Sequence, residues 1–109
     1  MAYDEQLAER VWDAVRDRED ITEKRMFGGL CLLAHGNMFA GIQGDTLMAR
    51  VGPERHDELV DRPGARIMDF TGRPMRGFLY VGPEAIRTDE QLSDWLALSL
   101  AVVDTLPAK

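Results

Sequence analysis

Leu7, Val11 and Val15 recur every fourth residue, with Ala8, Trp12 and Ala14 beside them and Glu5, Glu9, Asp13 and Asp17 elsewhere. That spacing predicts an amphipathic helix over residues 4–18. After Glu19-Asp20 the period changes. Residues 21–27 read as a short strand, Gly28-Gly29 interrupts it, and an apolar run follows over residues 30–34. His35-Gly36-Asn37 is turn chemistry. Met38, Ala40 and Ile42 then alternate with Phe39, Gly41 and Gln43, and Gly44-Asp45 supplies the two-residue loop of a type II′ hairpin before a strand over residues 46–51.

Gly52-Pro53 stops that strand and opens a short helix, since proline suits the first helical turn. Its apolar face is modest (His56, Leu59, Val60), and it has to end before Arg62-Pro63-Gly64. Residues 66–70 read as a brief strand, residues 71–75 as a loop, and residues 77–81 as a strand with Phe78 and Tyr80 on one face and Leu79 and Val81 on the other. Thr88 and Gln91 form a capping box for a last helix reaching residue 104 or 105. The order α-β-β-β(-β)-α-β-β-α predicts one two-layer α+β domain over residues 1–109, an antiparallel sheet covered by helices.

Composition narrows the class. A chain of 109 residues with 45% hydrophobic and 29% charged content suits a single soluble domain, burying roughly 65% of the surface of its unfolded form. The lone Cys31 lies between leucines, which reads as an inert core thiol in a reducing, cytoplasmic setting. The acidic N-terminus lacks the form of an export signal, and the apolar stretch over residues 96–103 falls short of the about 20 residues that span a membrane. The net charge of −6 disfavours direct nucleic-acid binding. Only the window from Arg62 to Arg76 runs the other way, with four arginines against Asp69.

Chemistry-bearing patterns are sparse. Ser93 and Ser99 fall inside the last helix, Cys31 and His35 are about 13 Å apart along an extended chain, and His35 and His56 have no companions at metal-ligand spacing. No catalytic set, metal site or cofactor is expected. One constellation stands out: Lys24 and Arg25 before Gly28-Gly29, together with Arg73, Arg76 and Tyr80. Brought together by the sheet, these would make an anion-binding or partner surface, or an enzyme built on an arginine cluster. Surface arginines are common, so a solvated set is the first reading. Paired glycines in a strand-like run further predict positive φ or a strand irregularity at Gly28 or Gly29.

These residues also carry a resemblance. Lys24-Arg25-Met26-Phe27-Gly28-Gly29, Gly36-Asn37-Met38, Arg50-Val51, the stretch from Met68 to Gly77, and Leu92 with Trp95 resemble the N-terminal domain of the TfoX/Sxy family over nearly the whole chain. The resemblance implies an α+β domain and kinship to bacterial regulators of DNA-uptake competence that act with the cyclic-AMP receptor protein. Those regulators carry a second, helical domain, and this sequence stops after its last helix, so the competence role is not carried over. The expectation is a small cytoplasmic regulatory or protein-interaction module without catalysis, its protein partner unidentified. The apolar arc of the last helix is wider than one sheet covers. Either the first helix covers the remainder, or the edge at Leu98 and Val102 meets its own copy in a homodimer.

Overall fold

The computed structural model describes residues 3–26, 29–70 and 73–107. Helix α1 (Glu5–Ala14) leads into strands β1 (Ile21–Met26), β2 (Gly29–Ala34), β3 (Asn37–Gln43) and β4 (Thr46–Arg50). A short helix α2 (His56–Leu59), strands β5 (Ala65–Phe70) and β6 (Arg73–Val81), a single 3-10 turn (Pro83–Ala85) and helix α3 (Asp89–Val103) complete the chain. The strands form one antiparallel sheet in the order β1-β2-β3-β4-β6-β5. This is the α+β order that the hydrophobic pattern predicts.

Local chemistry sets the boundaries. The Asp4 carboxylate accepts from the backbone N–H groups of Gln6 and Leu7, capping α1. The Thr88 hydroxyl accepts from Gln91 N–H while the Gln91 side chain accepts from Thr88 N–H, so the predicted capping box is complete. His35 and Gly36 both have positive φ, the requirement of a type I′ hairpin between β2 and β3. Gly44 alone has positive φ in the β3–β4 turn, which matches the expected type II′.

Three predicted boundaries move. Helix α2 starts at His56 with Arg55 at its N-cap, so Pro53 lies in the turn ahead of the helix rather than in its first turn. Helix α1 ends at Ala14 rather than residue 18, because Arg18 turns back to bond the Asp20 and Asp104 carboxylates. Strand β6 begins at Arg73, within the segment read as a loop. Pro74 is tolerated there because the pairing with β4 stops at Phe78, so this part of β6 is paired to β5 alone, the edge-like setting in which strands accept proline.

The core lies on one face of the sheet. Leu7 and Val11 of α1, Leu59 of α2, and Leu92, Trp95, Leu96 and Val103 of α3 pack against Leu30, Leu32, Phe39, Ile42, Leu47, Leu79 and Val81. A bulge opposite Leu32 and Leu33 lets Phe39 and Ala40 both enter this core. Helix α1 packs beside α3, covering part of its broad apolar arc from within the chain. Leu98 and Val102 stay half-buried at the uncovered edge. Cys31, Met48 and Met68 are sealed from water too, yet belong to no part of that cluster, so they mark a second apolar layer on the opposite face.

Candidate binding surface

Register decides which side chains share the face away from the helices. Lys24, Cys31, Gly41, Met48, Tyr80 and Arg66 are partners in successive pairs across all six strands, so they form one row on that face. Leu33 with Met38, and Arg50 with Phe78, form the next row. Gly41 is the low point between them. A methyl there would overlap the Met48 Cε and lie 3.3 Å from the Met38 Cε, so the two methionine tips close over a glycine. Burial pushes the Cys31 thiol up from its ordinary value, which keeps it protonated and inert.

Aromatic and cationic groups stack along this face. The Arg66 guanidinium sits 5.5 Å from the Tyr80 ring centroid, and the Arg50 guanidinium 5.4 Å from that of Phe78. The Tyr80 hydroxyl donates to the Gln43 side-chain oxygen at 3.3 Å, and Arg50 Nη1 donates to the Met38 carbonyl at 3.2 Å. Phe78 and Tyr80 are half-buried while Leu79 and Val81 are fully buried, the alternation the sequence predicts. No carboxylate stands in the two rows, although the whole chain carries a net charge of −6.

The constellation singled out from sequence does not assemble. Lys24 lies on edge strand β1 in the row just described, whereas Arg25 pairs with Leu30 and so falls on the helix-covered face. Arg73 and Arg76 belong to β6, four strand spacings from β1, about 19 Å along the sheet. The β1–β2 pairing also closes at Met26 and Gly29 at one end of the sheet, and the β5–β6 pairing closes at Phe70 and Arg73 at the other. A single basic pocket of Lys24, Arg25, Arg73 and Arg76 beside the glycines is therefore corrected by strand order. Tyr80 shares a row with Lys24 but stands four strands away. Gly28 lies outside the described residues. Gly29 is free of positive φ, and the β1–β2 register at it is regular, so neither expected reason holds there. Its need for glycine is instead close approach, since a methyl would overlap the Ile42 carbonyl oxygen.

Arg50 and Arg66 gain importance that the sequence reading did not give them. Their signal was present as alternation, for each follows the strand phase that points away from the core. The Cys31–His35 pairing is absent, because His35 faces the Asp20 carboxylate through Nδ1 at 3.2 Å and the Val103 carbonyl through Nε2 at 3.0 Å. Bonding to Arg18 holds the Asp20 carboxyl well below its usual range, lowers that of Asp104, and raises the Arg18 guanidinium. That cluster ties the end of α3 to the start of β1.

The model of the TfoX N-terminal domain matches residues 13–103 of the 109. The chain belongs to the TfoX N-terminal domain family. The match includes the sheet, α2 and the whole of α3, so both rows of the TfoX N-terminal domain surface described above lie within it. No curated protein and no solved structure matches the chain. Among the described residues, no helix of this TfoX N-terminal domain is long and apolar enough to cross a membrane, and no group of three or more His, Cys, Asp or Glu is placed to hold a metal ion.

Proposed function

We propose that this TfoX N-terminal domain is a cytoplasmic regulatory or protein-interaction module that works by binding rather than catalysis. Its partner is a protein that docks on the sheet face away from the helices. The observation that carries the reading is the pair of arginine–aromatic stacks, Arg66 over Tyr80 and Arg50 over Phe78, on that face. Arginine and aromatic side chains supply much of the energy of protein interfaces, because the ring buries area while the guanidinium fixes orientation. Rows that hold three cations and no carboxylate fit a partner whose contact surface is apolar with an acidic rim.

Quantitative pull-downs from a lysate of the source cell test this, comparing the native domain with Tyr80→Ala, Arg66→Glu and, in the exposed turn after helix α1, Arg16→Glu. The expected result is a protein recovered by the native domain and by Arg16→Glu but lost from both sheet-face variants. Recovery that is the same for all four, or no specific protein together with turnover of a metabolite pool, refutes the module reading.

A further inference from the structure

Where β4 runs out, a groove of about 500 Å³ opens between α3 and the loop leading to α2. That volume lies within the range of about 300–1,000 Å³ typical of small-ligand sites. Its walls are apolar: Val51, Phe78, Leu98, Val102 and Leu106. Its frame is fixed by backbone bonds, since the Gly77 carbonyl accepts from both Val51 N–H at 2.7 Å and Gly52 N–H at 3.1 Å. Gly52 and Gly77 hold φ of 82° and 94°, conformations that favour glycine and shape this bend. The groove is thus pre-formed, which spares a ligand the cost of ordering it.

Charge says what fits. Arg55 at the loop already bonds Glu58 at 3.1 Å, and Glu54 adds one negative charge at the rim. Arg50 differs, being half-buried with no carboxylate within ion-pair distance among the described residues. A guanidinium in partial shelter is usually paired. Its stack on Phe78 and its bond to the Met38 carbonyl hold it in place, with further N–H donors left over. An apolar wall therefore ends at a fixed, uncompensated cation.

We propose that this groove binds a small amphiphilic monoanion, an alkyl carboxylate whose chain lies against Leu98, Val102 and Phe78 and whose carboxylate accepts from Arg50. The groove shares Arg50 and Phe78 with the proposed docking face but not Tyr80 or Arg66, so Tyr80→Ala, which should abolish partner capture, should leave octanoate binding unchanged, and the two readings fail separately.

Titrating the isotope-labelled domain with hexanoate, octanoate, decanoate and the neutral control 1-octanol, read by backbone amide shifts, tests the site. Shifts should centre on Gly52, Gly77, Leu98 and Val102. Each added methylene should tighten binding by up to about fourfold, and octanoate should bind about tenfold better than 1-octanol. Arg50→Met should erase that preference while 1-octanol still binds, and Arg50→Lys should retain part of it. Ala101→Trp, at an exposed position on the groove wall with Arg50 intact, should lose both ligands. Equal binding of acid and alcohol, no dependence on chain length, or shifts centred elsewhere would overturn the proposal. So would a two-chain mass by light scattering that Leu98→Glu abolishes, since a second copy would then fill the groove.

Discussion

Gly29→Ala adds a single methyl group to a fully buried position in β2, a strand paired on both sides. The new carbon would overlap the Ile42 carbonyl oxygen and lie 3.1 Å from its carbonyl carbon and 3.3 Å from Gln43 Cα. All three atoms are backbone, and Leu30↔Ile42 pairing holds that segment in register, so no side-chain rotation relieves the overlap. Relief requires β2 and β3 to part locally. Overpacking of this kind costs about 1–3 kcal/mol, and the rigid obstacle keeps this case away from the lower end. A loss of about 2 kcal/mol should lower the melting temperature by roughly 8–16 °C in a domain of this size. Urea unfolding of both proteins, fitted with a common slope, measures the difference directly. Exposed Lys24→Ala on the neighbouring strand serves as the control, expected within about 0.5 kcal/mol of the native domain. A Gly29→Ala domain equally close to native would refute the close-approach argument.

Three further outcomes follow from the same structure. The folded-state values of Asp20 and Asp104 are depressed, so their contribution is complete above the ordinary carboxylate pKa of about 4 and is lost as pH falls below it; thermal melts across that window should show a smaller acid loss in Asp104→Asn than in the native domain. Thr88→Ala removes the hydroxyl that accepts from Gln91 N–H and should cost about 1 kcal/mol in urea unfolding. Leu79→Ala empties a fully buried site and should cost about 2–5 kcal/mol, whereas its neighbour Tyr80→Ala, half-buried on the other face, should cost clearly less by the same assay.

What the sequence disclosed is what short-range physics controls. The Thr88–Gln91 box, the Gly44-Asp45 turn and the alternation of Phe78, Leu79, Tyr80 and Val81 each depend on a few neighbouring residues, and each stands as predicted. The early end of α1 was hidden because no glycine or proline marks it. The signal is a tertiary bond from Arg18 to Asp104, 86 residues away. The start of β6 was hidden for a related reason: proline argues against a strand only where its N–H would be needed, and that depends on where β4 ends.

Strand order is the least local property of all, and it decides the fate of the arginine constellation. Lys24 and Arg25 are adjacent in sequence but fall on opposite faces, while Lys24 and Arg66, 42 residues apart, fall in one row. The pairing of β5 with β6 brings Tyr80 beside Arg66, and the insertion of β6 between β4 and β5 brings Phe78 beside Arg50. The same insertion places the end of β4 next to the Gly77 bend, where the groove opens. Net charge is equally blind to this sorting. An acidic total describes a molecule that repels anions at a distance, yet its sheet face carries Lys24, Arg50 and Arg66 without a carboxylate in their rows. Because screening confines exposed charges to about 8–10 Å, a partner at contact range meets that local cationic surface rather than the total, and binding there should weaken as salt rises.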